Sequence, residues 1–446
     1  MSELLSVFAA GRDAADVPGL RIGERLYTFA QLADMTKGRL AALALELRYG
    51  LPCMLVGTNT LETLITLYAL LEMHVPALLV HPRLTAPEHA DLQATAARAG
   101  PVPHPDAAAI IFTSGTTGDS RGAVLTRSGL LASAEASAAN LGWHGDDAWL
   151  LCMSVARMGG LSIVTRCLAA RRCVVLTHGF DADHFPELVA RHRITLVSLV
   201  PTMLTRVFDA HPDWRAPAHL RCMLLGGAMA SSRLFRSAED RRLPIVVTYG
   251  LTETSSQVVA TPYAARFAPA DCGAGTALEG IGVRVDQGRI EVRGPTLMAG
   301  YWNGPALAPD AWFDTGDLGE LDSAGCLHVH ARRADLIVTG GENAYPAEVE
   351  RALEAFPGIA AAGVFGVPDE VWGHTVAAAL VAESKPPPDA TLFEYITRQL
   401  APHKRPRHVC YLPRLPHAPS GKLDRRALAE SAPLLRPLSP TPGATG

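Results

Sequence analysis

The chain has 446 residues, 48% of them apolar, enough to bury cores for roughly two to four domains and too apolar for a disordered polypeptide. Forty basic against 44 acidic residues leave a net charge of -4, which excludes the basic footprint of a nucleic-acid-binding protein and any basic block that would hold a membrane surface. No stretch reaches the ~18 uninterrupted apolar residues of a spanning helix, since the most apolar, 51–81, is broken by Glu62, Glu72, His74 and Pro76.

The N-terminus, MSELLSVFAAGRDAAD, has no basic start, long apolar run or cleavage signature, so no signal peptide is expected. The cysteines at 53, 152, 167, 173, 222, 272, 326 and 410 form no CxxC pair and sit mostly in apolar surroundings. They predict a reduced, cytoplasmic protein with buried thiols. Residues 25–100 read as helices alternating with short apolar strands. CMLVGTN (53–59) precedes LETLITLYALLEM (61–73), in which Leu61, Leu64, Leu67 and Leu71 share one helical face, and the strand PALLVHP follows. Strand, helix, strand at this spacing predicts a parallel sheet with crossover helices. Apolar runs recur at 173–177, 194–200, 221–225 and 245–249. Beyond residue 270 the texture turns β-rich and glycine-punctuated (281–293, 326–338), with DSAGCL (322–327) as a turn between strands. Pro346 opens a helix, strands follow at 359–367 and 375–382, and a KPPP linker (385–388) precedes the helix TLFEYITRQL, together a small α+β unit. The C-terminal residues, rich in proline and small side chains, read as a loose tail.

The strongest local signal is AAAIIFTSGTTGDSRGAVLT (107–126), an apolar strand running into a loop that ends in a cation. Gly115 and Gly118 let backbone N–H groups approach phosphate oxygens. Thr113, Ser114, Thr116 and Thr117 add hydroxyl donors, and Arg121 supplies charge. An ordinary Gly/Ser/Thr surface loop is the competing reading, opposed by the buried strand before it and the arginine after it. The pattern is not GxxxxGK[ST].

This segment resembles the phosphate-binding loop of the adenylate-forming superfamily, which includes acyl- and aryl-CoA ligases, luciferases and peptide-synthetase adenylation domains. Ser120 stands where the family usually has proline. Arg121 stands where it usually has lysine, keeping the charge but with forked geometry. The likeness continues in order along almost the whole chain. In TYGLTETSS (248–256) it implies that Thr252 and Glu253 contact the α-phosphate and Mg²⁺, with Thr116 as a further metal ligand. A carboxylate just past a strand end, in a site built for polyphosphate, is a natural Mg²⁺ ligand. Tyr249, Gly250 and Gly227 are implied to border the nucleotide. WFDTGDLGELD (312–322) is similar to the family's TGD element, implying that Asp317 accepts from the ribose hydroxyls. In ARRADLIVTGGENAYPAEVE (331–350), Arg332 matches an arginine that reaches ribose and phosphate. A hinge falls at 332–335, with Ala334 where aspartate, lysine or serine is commoner. Gly340, Gly341 and Glu342 lie where relatives place a loop over the thiol acceptor's tunnel. APSGKLDRRAL (418–428) is similar to the catalytic-lysine element. Lys422, one of only four lysines (37, 385, 404, 422), is implied to bridge the substrate carboxylate and the α-phosphate.

The resemblance implies an α/β fold. A large N-terminal adenylation domain (1–331), with mixed, mostly parallel sheets, crossover helices and a β-rich subdomain, precedes the hinge, a small mobile α+β cap (336–432) and a tail (433–446). It implies an AMP-forming acid–thiol ligase. A carboxylate attacks the α-phosphate of ATP, pyrophosphate leaves, the cap rotates, and coenzyme A takes the acyl group and releases AMP. ATP, Mg²⁺ and coenzyme A are the expected cofactors and a small carboxylic acid the partner, with no nucleic acid and no membrane. A homodimer is compatible with it.

In relatives the acyl pocket is lined by stretches that here are LLCMSVARMGGLS (150–162), SLVPTML (198–204, with Pro201 and Thr202), LLGGAM (224–229, with Gly226 and Ala228) and the TETSSQ run with Ser255. The VPT turn, GGA, TETSSQVV and GENAYPAEVE resemble most the o-succinylbenzoate–CoA ligase branch of menaquinone biosynthesis, so an aromatic acid is expected. The alternatives are another aryl- or alicyclic-acid CoA ligase and a stand-alone adenylation enzyme that loads a carrier protein. Arg157 stands where relatives usually carry histidine. It is expected to pair with a second carboxylate or polar group on the substrate, against a plain reading in which it meets solvent or a neighbouring acid. PVPHPD (101–106) bridges a region where relatives often have a further strand–helix segment.

Overall fold

The computed structural model describes residues 2–46, 51–84, 86–102, 104–114, 120–228, 230–268, 273–332, 335–339, 342–369, 372–418 and 422–438. The chain divides into two compact units, Met1–Gly227 with Arg241–Arg284 and Glu291–Phe313, and Ala228–Asp240 with Val285–Ile290 and Asp314–Gly446.

In the first unit, helix α1 (Val7–Asp13) precedes strands β1 (Pro18–Ile22) and β2 (Arg25–Thr28) and helix α2 (Phe29–Glu46). Strand β3 (Cys53–Val56), helix α3 (Leu61–Glu72) and strand β4 (Ala77–Val80) form the expected crossover, with β3 and β4 parallel. The Thr60 hydroxyl caps α3 by accepting from Thr63 N. Leu64, Leu67 and Leu71, which share a face, are buried, and the burial extends beyond that face. Residues 63–71 are all buried, because the helix packs on β3 and on α2, while Leu61 is only half-buried. A helix enclosed on every side has no solvent face to keep polar.

Helix α4 (Ala86–Ala99) leads to β5 (Ala107–Ser114), parallel to β4, and β6 (Ser120–Thr126) returns antiparallel along β5. Helix α5 (Arg127–Leu141) is capped by Thr126, whose hydroxyl accepts from Gly129 N. A run of alternating elements follows: β7 (Ala148–Leu151), α6 (Met158–Ala170), β8 (Cys173–Leu176), α7 (Phe185–Arg191), β9 (Leu196–Leu199), α8 (Pro201–Ala210), β10 (Cys222–Leu225), α9 (Ser232–Asp240, which belongs to the second unit) and β11 (Ile245–Leu251). The apolar runs at 173–177, 194–200, 221–225 and 245–249 are thus the strands β8 to β11. They carry unbroken apolar stretches because a parallel sheet is covered on both faces. β12 (Ser256–Ala260) turns back antiparallel on β11, followed by β13 (Thr276–Ala277), β14 (Gly282–Asp286), β15 (Arg289–Arg293) and β16 (Gly300–Tyr301). Two sheets result in this unit, ordered β13-β12-β11-β10-β9-β7-β8-β1-β2 and β16-β6-β5-β4-β3.

In the second unit, β17 (Phe313–Leu321) and β18 (Leu327–Arg332) form an antiparallel hairpin. Its turn is the expected one, closed by the Asp322 carboxylate, which accepts from Ala324 N and Cys326 N. Then come β19 (Ile337–Thr339), β20 (Glu342–Ala344), α10 (Pro346–Glu354), β21 (Ile359–Asp369), β22 (Gly373–Ala382), α11 (Asp389–Gln399), β23 (His408–Tyr411), α12 (Arg425–Ala429) and β24 (Arg436–Pro437). Val349 and Leu353 of α10 and Leu392 and Ile396 of α11 pack with Val364, Val376, Leu380 and Val409 of the sheet into one core.

Two expectations change. Residues 433–438, read as tail, are built into the sheet: β24 pairs with β23 and Leu438 joins the core, while 439–446 lie outside the described residues. Six cysteines are free, as expected, but Cys326 is disulfide-bonded, and Cys272 lies outside the described residues. The hinge segment 332–335 falls inside the second unit, with Ala334 outside the described residues.

Candidate active site

The residues expected to bind phosphate begin as strand, not loop. Thr113 faces Arg121 and Ser114 faces Ser120 in the antiparallel register of β5 and β6. Gly115, Thr116, Thr117 and Gly118 lie outside the described residues. The hairpin brings Thr113 to Glu253, 140 residues on, and the Thr113 hydroxyl donates to Glu253 Oε1 at 3.1 Å. The Tyr301 hydroxyl donates to the same oxygen at 3.0 Å. The Arg121 guanidinium lies over the Tyr301 ring, 4.0 Å from its centroid, an arrangement that holds the cation by attraction to the ring face. Glu253 is only 8% exposed, and its backbone carbonyl accepts from Met298 N at 2.8 Å. One carboxylate, two hydroxyls and a guanidinium thus converge at the open end of β5 and β6.

The local sequence explains why Glu253 sits there. β11 ends in a short 3₁₀ turn, Thr252–Thr254, before β12 reverses. Thr254 is fully buried and locks the turn: its hydroxyl accepts from Leu251 N at 2.9 Å and donates to Ser256 O at 2.8 Å. Ser255 (φ 51°) and Ser256 (φ 102°) take up the reversal in left-handed backbone. The β11–β12 register slips at Tyr249/Gly250, where a Cβ on Gly250 would fall 2.0 Å from Ser256 O, so only glycine permits the approach. Tyr249 and Thr252 are half-buried on either side of this bulge.

Gly226 and Gly227 follow directly on β10, where a Cβ on Gly226 would meet Thr248 O at 2.7 Å and Gly227 has φ 78°. Ala228 beyond them is half-buried. Pro201 opens α8 at the end of β9, with Thr202 next to it. Ser255, expected to touch the acid, is fully buried beside Gly129, where the left-handed turn points it, and among the described residues its hydroxyl has no hydrogen-bond partner. Arg157 ends the segment before α6, which is pinned by two bonds: Ser154 Oγ donates to Gly57 O at 2.7 Å and Asn59 Nδ2 donates to Met153 O at 3.1 Å. Among the described residues no acid pairs with Arg157, whose side chain is exposed. Its titratable neighbour is His81, pushed down to about 4 by burial and by Arg157 and Arg83 and so uncharged near neutral pH. A cavity of about 480 Å³ opens beyond β7 and β8, lined by Leu150, Cys152, Phe180, Phe185 and His184, the first two from the 150–162 stretch expected to border the acid.

In the second unit, Asp317 is 6% exposed in β17, opposite Arg332 in the β17–β18 register. Glu342 is exposed at the start of β20 and pairs with Thr339 of β19, while Gly340 and Gly341 between them lie outside the described residues. Lys422 is exposed, and its backbone carbonyl accepts from Ala418 N at 2.8 Å.

Three participants escaped the sequence reading. Tyr301 carries no motif of its own, and Thr254 lies within TYGLTETSS without a role implied for it. Arg166, in the middle of α6, is 2% exposed, donates to Ser256 Oγ at 3.1 Å and lies 5.6 Å from the Trp149 ring centroid. Burial pushes its guanidinium down to about 10, and among the described residues its Nε has no hydrogen-bond partner. A buried cation behind the 252–256 turn adds positive potential there. An arginine inside an otherwise apolar helix, GGLSIVTRCLAA, was the available signal.

Family comparison agrees with this geometry. Residues 90–302 match the AMP-binding enzyme family and 348–422 match the AMP-binding enzyme C-terminal domain. The chain belongs to the family of AMP-binding enzymes. A 2-succinylbenzoate–CoA ligase from Bacillus thuringiensis is 38% identical over 340 residues, 73% of this chain and 70% of the relative. Among solved structures, o-succinylbenzoate CoA synthetase from Bacillus subtilis in complex with its acyl-adenylate intermediate superposes with a TM-score of 0.82 at 30% identity, covering 95% of this chain and 97% of that one. The same enzyme in complex with ATP and magnesium ion gives 0.83 at 29% identity, covering 95% and 98%. Among the described residues no helix is long and apolar enough to cross a membrane.

Proposed function

We propose that this chain is an AMP-forming ligase that joins o-succinylbenzoate to coenzyme A through an acyl-adenylate. The observation that carries the reading is the convergence of Thr113, Arg121, Glu253 and Tyr301, residues from distant segments, on one anion-ready edge of the first unit. The likeness to 2-succinylbenzoate–CoA ligases supplies the acid and the thiol. In the first step a substrate carboxylate oxygen attacks the α-phosphorus of ATP and pyrophosphate leaves. In the second the thiol sulfur of coenzyme A attacks the acyl carbonyl, AMP leaves, and the thiol proton passes to solvent.

The donor set fits magnesium. Among the described residues no three metal-ligating side chains gather, and Glu253 stands as a nearly buried single carboxylate. Mg²⁺ characteristically takes one or two protein carboxylates and fills its shell with substrate phosphates and water. Glu253, with Thr116, would hold the ion, whose chemistry when bound is to neutralise phosphate charge. Arg121, steadied on Tyr301, adds a forked cation for the same oxygens. Thr252 and the hairpin hydroxyls and N–H groups orient the α-phosphate, Tyr249 borders the adenine, and Asp317 and Arg332 hold the ribose. Lys422 offsets the charge that develops on phosphorus, and the cap turns at 332–335 so that Gly340, Gly341 and Glu342 meet coenzyme A.

o-Succinylbenzoate carries two carboxylates, one to activate and one left over. Arg157, unpaired with any acid among the described residues, is suited to the second, with Pro201, Thr202, Gly226 and Ala228 along the ring. The reaction belongs in the cytoplasm, where ATP and coenzyme A are supplied.

A panel of carboxylic acids, assayed for pyrophosphate release with and without coenzyme A, tests the reading. o-Succinylbenzoate should release pyrophosphate without coenzyme A and give AMP and thioester with it. Arg157→Ala should hurt this dicarboxylic acid more than a monocarboxylic aromatic acid. Release with other aromatic acids only, or transfer to a phosphopantetheine carrier and not to coenzyme A, would replace it with the corresponding alternative.

A further inference from the structure

We propose that Arg425 is a positioning residue for adenylation, fixing the turn that carries Lys422 to α10 and to the segment at Asp335; this rests on the reading of Lys422 given above. Arg425 opens α12, three positions after Lys422. Its guanidinium reaches four acceptors on three separate elements. Nη1 and Nη2 donate to Glu350 Oε1 and Oε2 of α10 at 2.5 and 3.2 Å, Nη1 donates to Val364 O of β21 at 2.8 Å, and Nε donates to Asp335 Oδ2 at 3.3 Å. Glu350 is itself held, its Oε1 accepting from Val364 N at 2.8 Å. The pair is largely out of solvent, with side chains 22% and 14% exposed, where a two-pronged guanidinium–carboxylate contact is both strong and directional.

The connection from Arg425 back to Lys422 is short and stiff. Asp424 caps α12, its carboxylate accepting from Ala427 N at 3.0 Å, while Asp424 N donates to Pro416 O at 3.0 Å. His417 and Leu423 form a β-bridge, and Ala418 N donates to Lys422 O at 2.8 Å. Leu423 and Leu428 pack with Phe365 and Leu415. Lys422 therefore leaves a base that cannot drift independently of α10 and Asp335. A lysine is a long, mobile side chain, so the location of its base decides how often the ammonium occupies the reactive position. Displacement by about 1 Å costs on the order of 100-fold in rate.

The two half-reactions separate positioning from plain structural support. In the holoenzyme with ATP and Mg²⁺, acid-dependent pyrophosphate release reads the step that uses Lys422. Thioester formation from preformed acyl-adenylate and coenzyme A reads a step that does not. Arg425→Gln should lower the first by about 10- to 100-fold, in kcat rather than KM for ATP, and leave the second within about twofold. Arg425→Lys should not restore it, since an ammonium cannot span Glu350, Val364 and Asp335. Glu350→Gln keeps one acceptor oxygen for Val364 N and Arg425 and leaves the hinge residue Asp335 untouched, so it serves if Arg425→Gln does not fold, with a loss of about 3- to 10-fold confined to adenylation. Equal losses in both half-reactions, or none in either, overturn the proposal. Lys422→Ala is the control: if it leaves adenylation intact, the reading of Lys422 and this inference both fall. If it abolishes adenylation while Arg425→Gln does not reduce it, only this inference falls.

Discussion

Tyr301→Phe isolates a single hydrogen bond in the candidate site. The hydroxyl donates to Glu253 Oε1 at 3.0 Å, and the ring supports Arg121 at 4.0 Å. Phenylalanine removes the first contact and keeps the second. Glu253 is 8% exposed, so water replaces the lost donor poorly. A hydrogen bond to an ionised group is worth about 1.5–3 kcal/mol, which at ~1.4 kcal/mol per decade predicts a fall of roughly 10- to 150-fold in acid-dependent pyrophosphate release. Thr113→Val removes the other donor to that oxygen and should cost a similar factor. The double variant should cost less than the product of the two, because both donors orient one atom. Tyr301→Leu should lose about a further 0.5–1 kcal/mol as Arg121 is released from its ring. If Tyr301→Phe, correctly folded, stays within about twofold of the parent, the hydroxyl does not orient Glu253 for chemistry and the site must be redrawn.

Two further predictions concern stability. Arg221 donates to both oxygens of Asp147, at 2.8 and 2.6 Å, with side chains 9% and 0% exposed. Arg221→Met leaves that carboxylate buried and unpaired and should cost about 3–5 kcal/mol in urea unfolding, a loss under about 1 kcal/mol contradicting the burial argument. Burial raises the Asp147 carboxyl, but its bonds from Arg221, His144 N and Thr195 outweigh this and hold it below the ordinary range. The pair's contribution is therefore present above the unfolded carboxyl's range and lost as pH falls through the folded one, and the variant should show less of this acid-side loss. Glu354 behaves oppositely: burial pushes it up from 4.5 to about 7, against the bond it accepts from Ala362 N. Its protonated form is favoured in the fold, so stability declines as pH rises from the unfolded to the folded value. Glu354→Gln keeps an acceptor for Ala362 N. It should match the parent near pH 4.5 and exceed it by ~1–3 kcal/mol near pH 8 in thermal unfolding, and identical curves at both would refute the burial effect.

Local sequence carried the crossover architecture, the likeness to the AMP-binding enzymes and the segments proposed to hold the chemistry. Strand and helix periods, the glycines and hydroxyls of 113–121, and the carboxylate of the 248–256 turn are properties of neighbouring residues. What it left open were matters of enclosure. Leu61, Leu64, Leu67 and Leu71 share a face on paper, yet α3 is buried all round. Ser255 stands within a site motif and points into the core, because a left-handed backbone turn sets its direction. Tertiary structure alone decided which residues serve Glu253. Thr113 is 140 positions from it and Tyr301 48, and neither separation leaves any local pattern. Arg425 shares this property: its composition was visible in the lysine motif, but Glu350, Val364 and Asp335 become its partners only when the sheet of the second unit closes. Periodicity records what each residue needs from its surroundings; which distant side chain meets that need is fixed by strand register and packing, and so appears only in three dimensions.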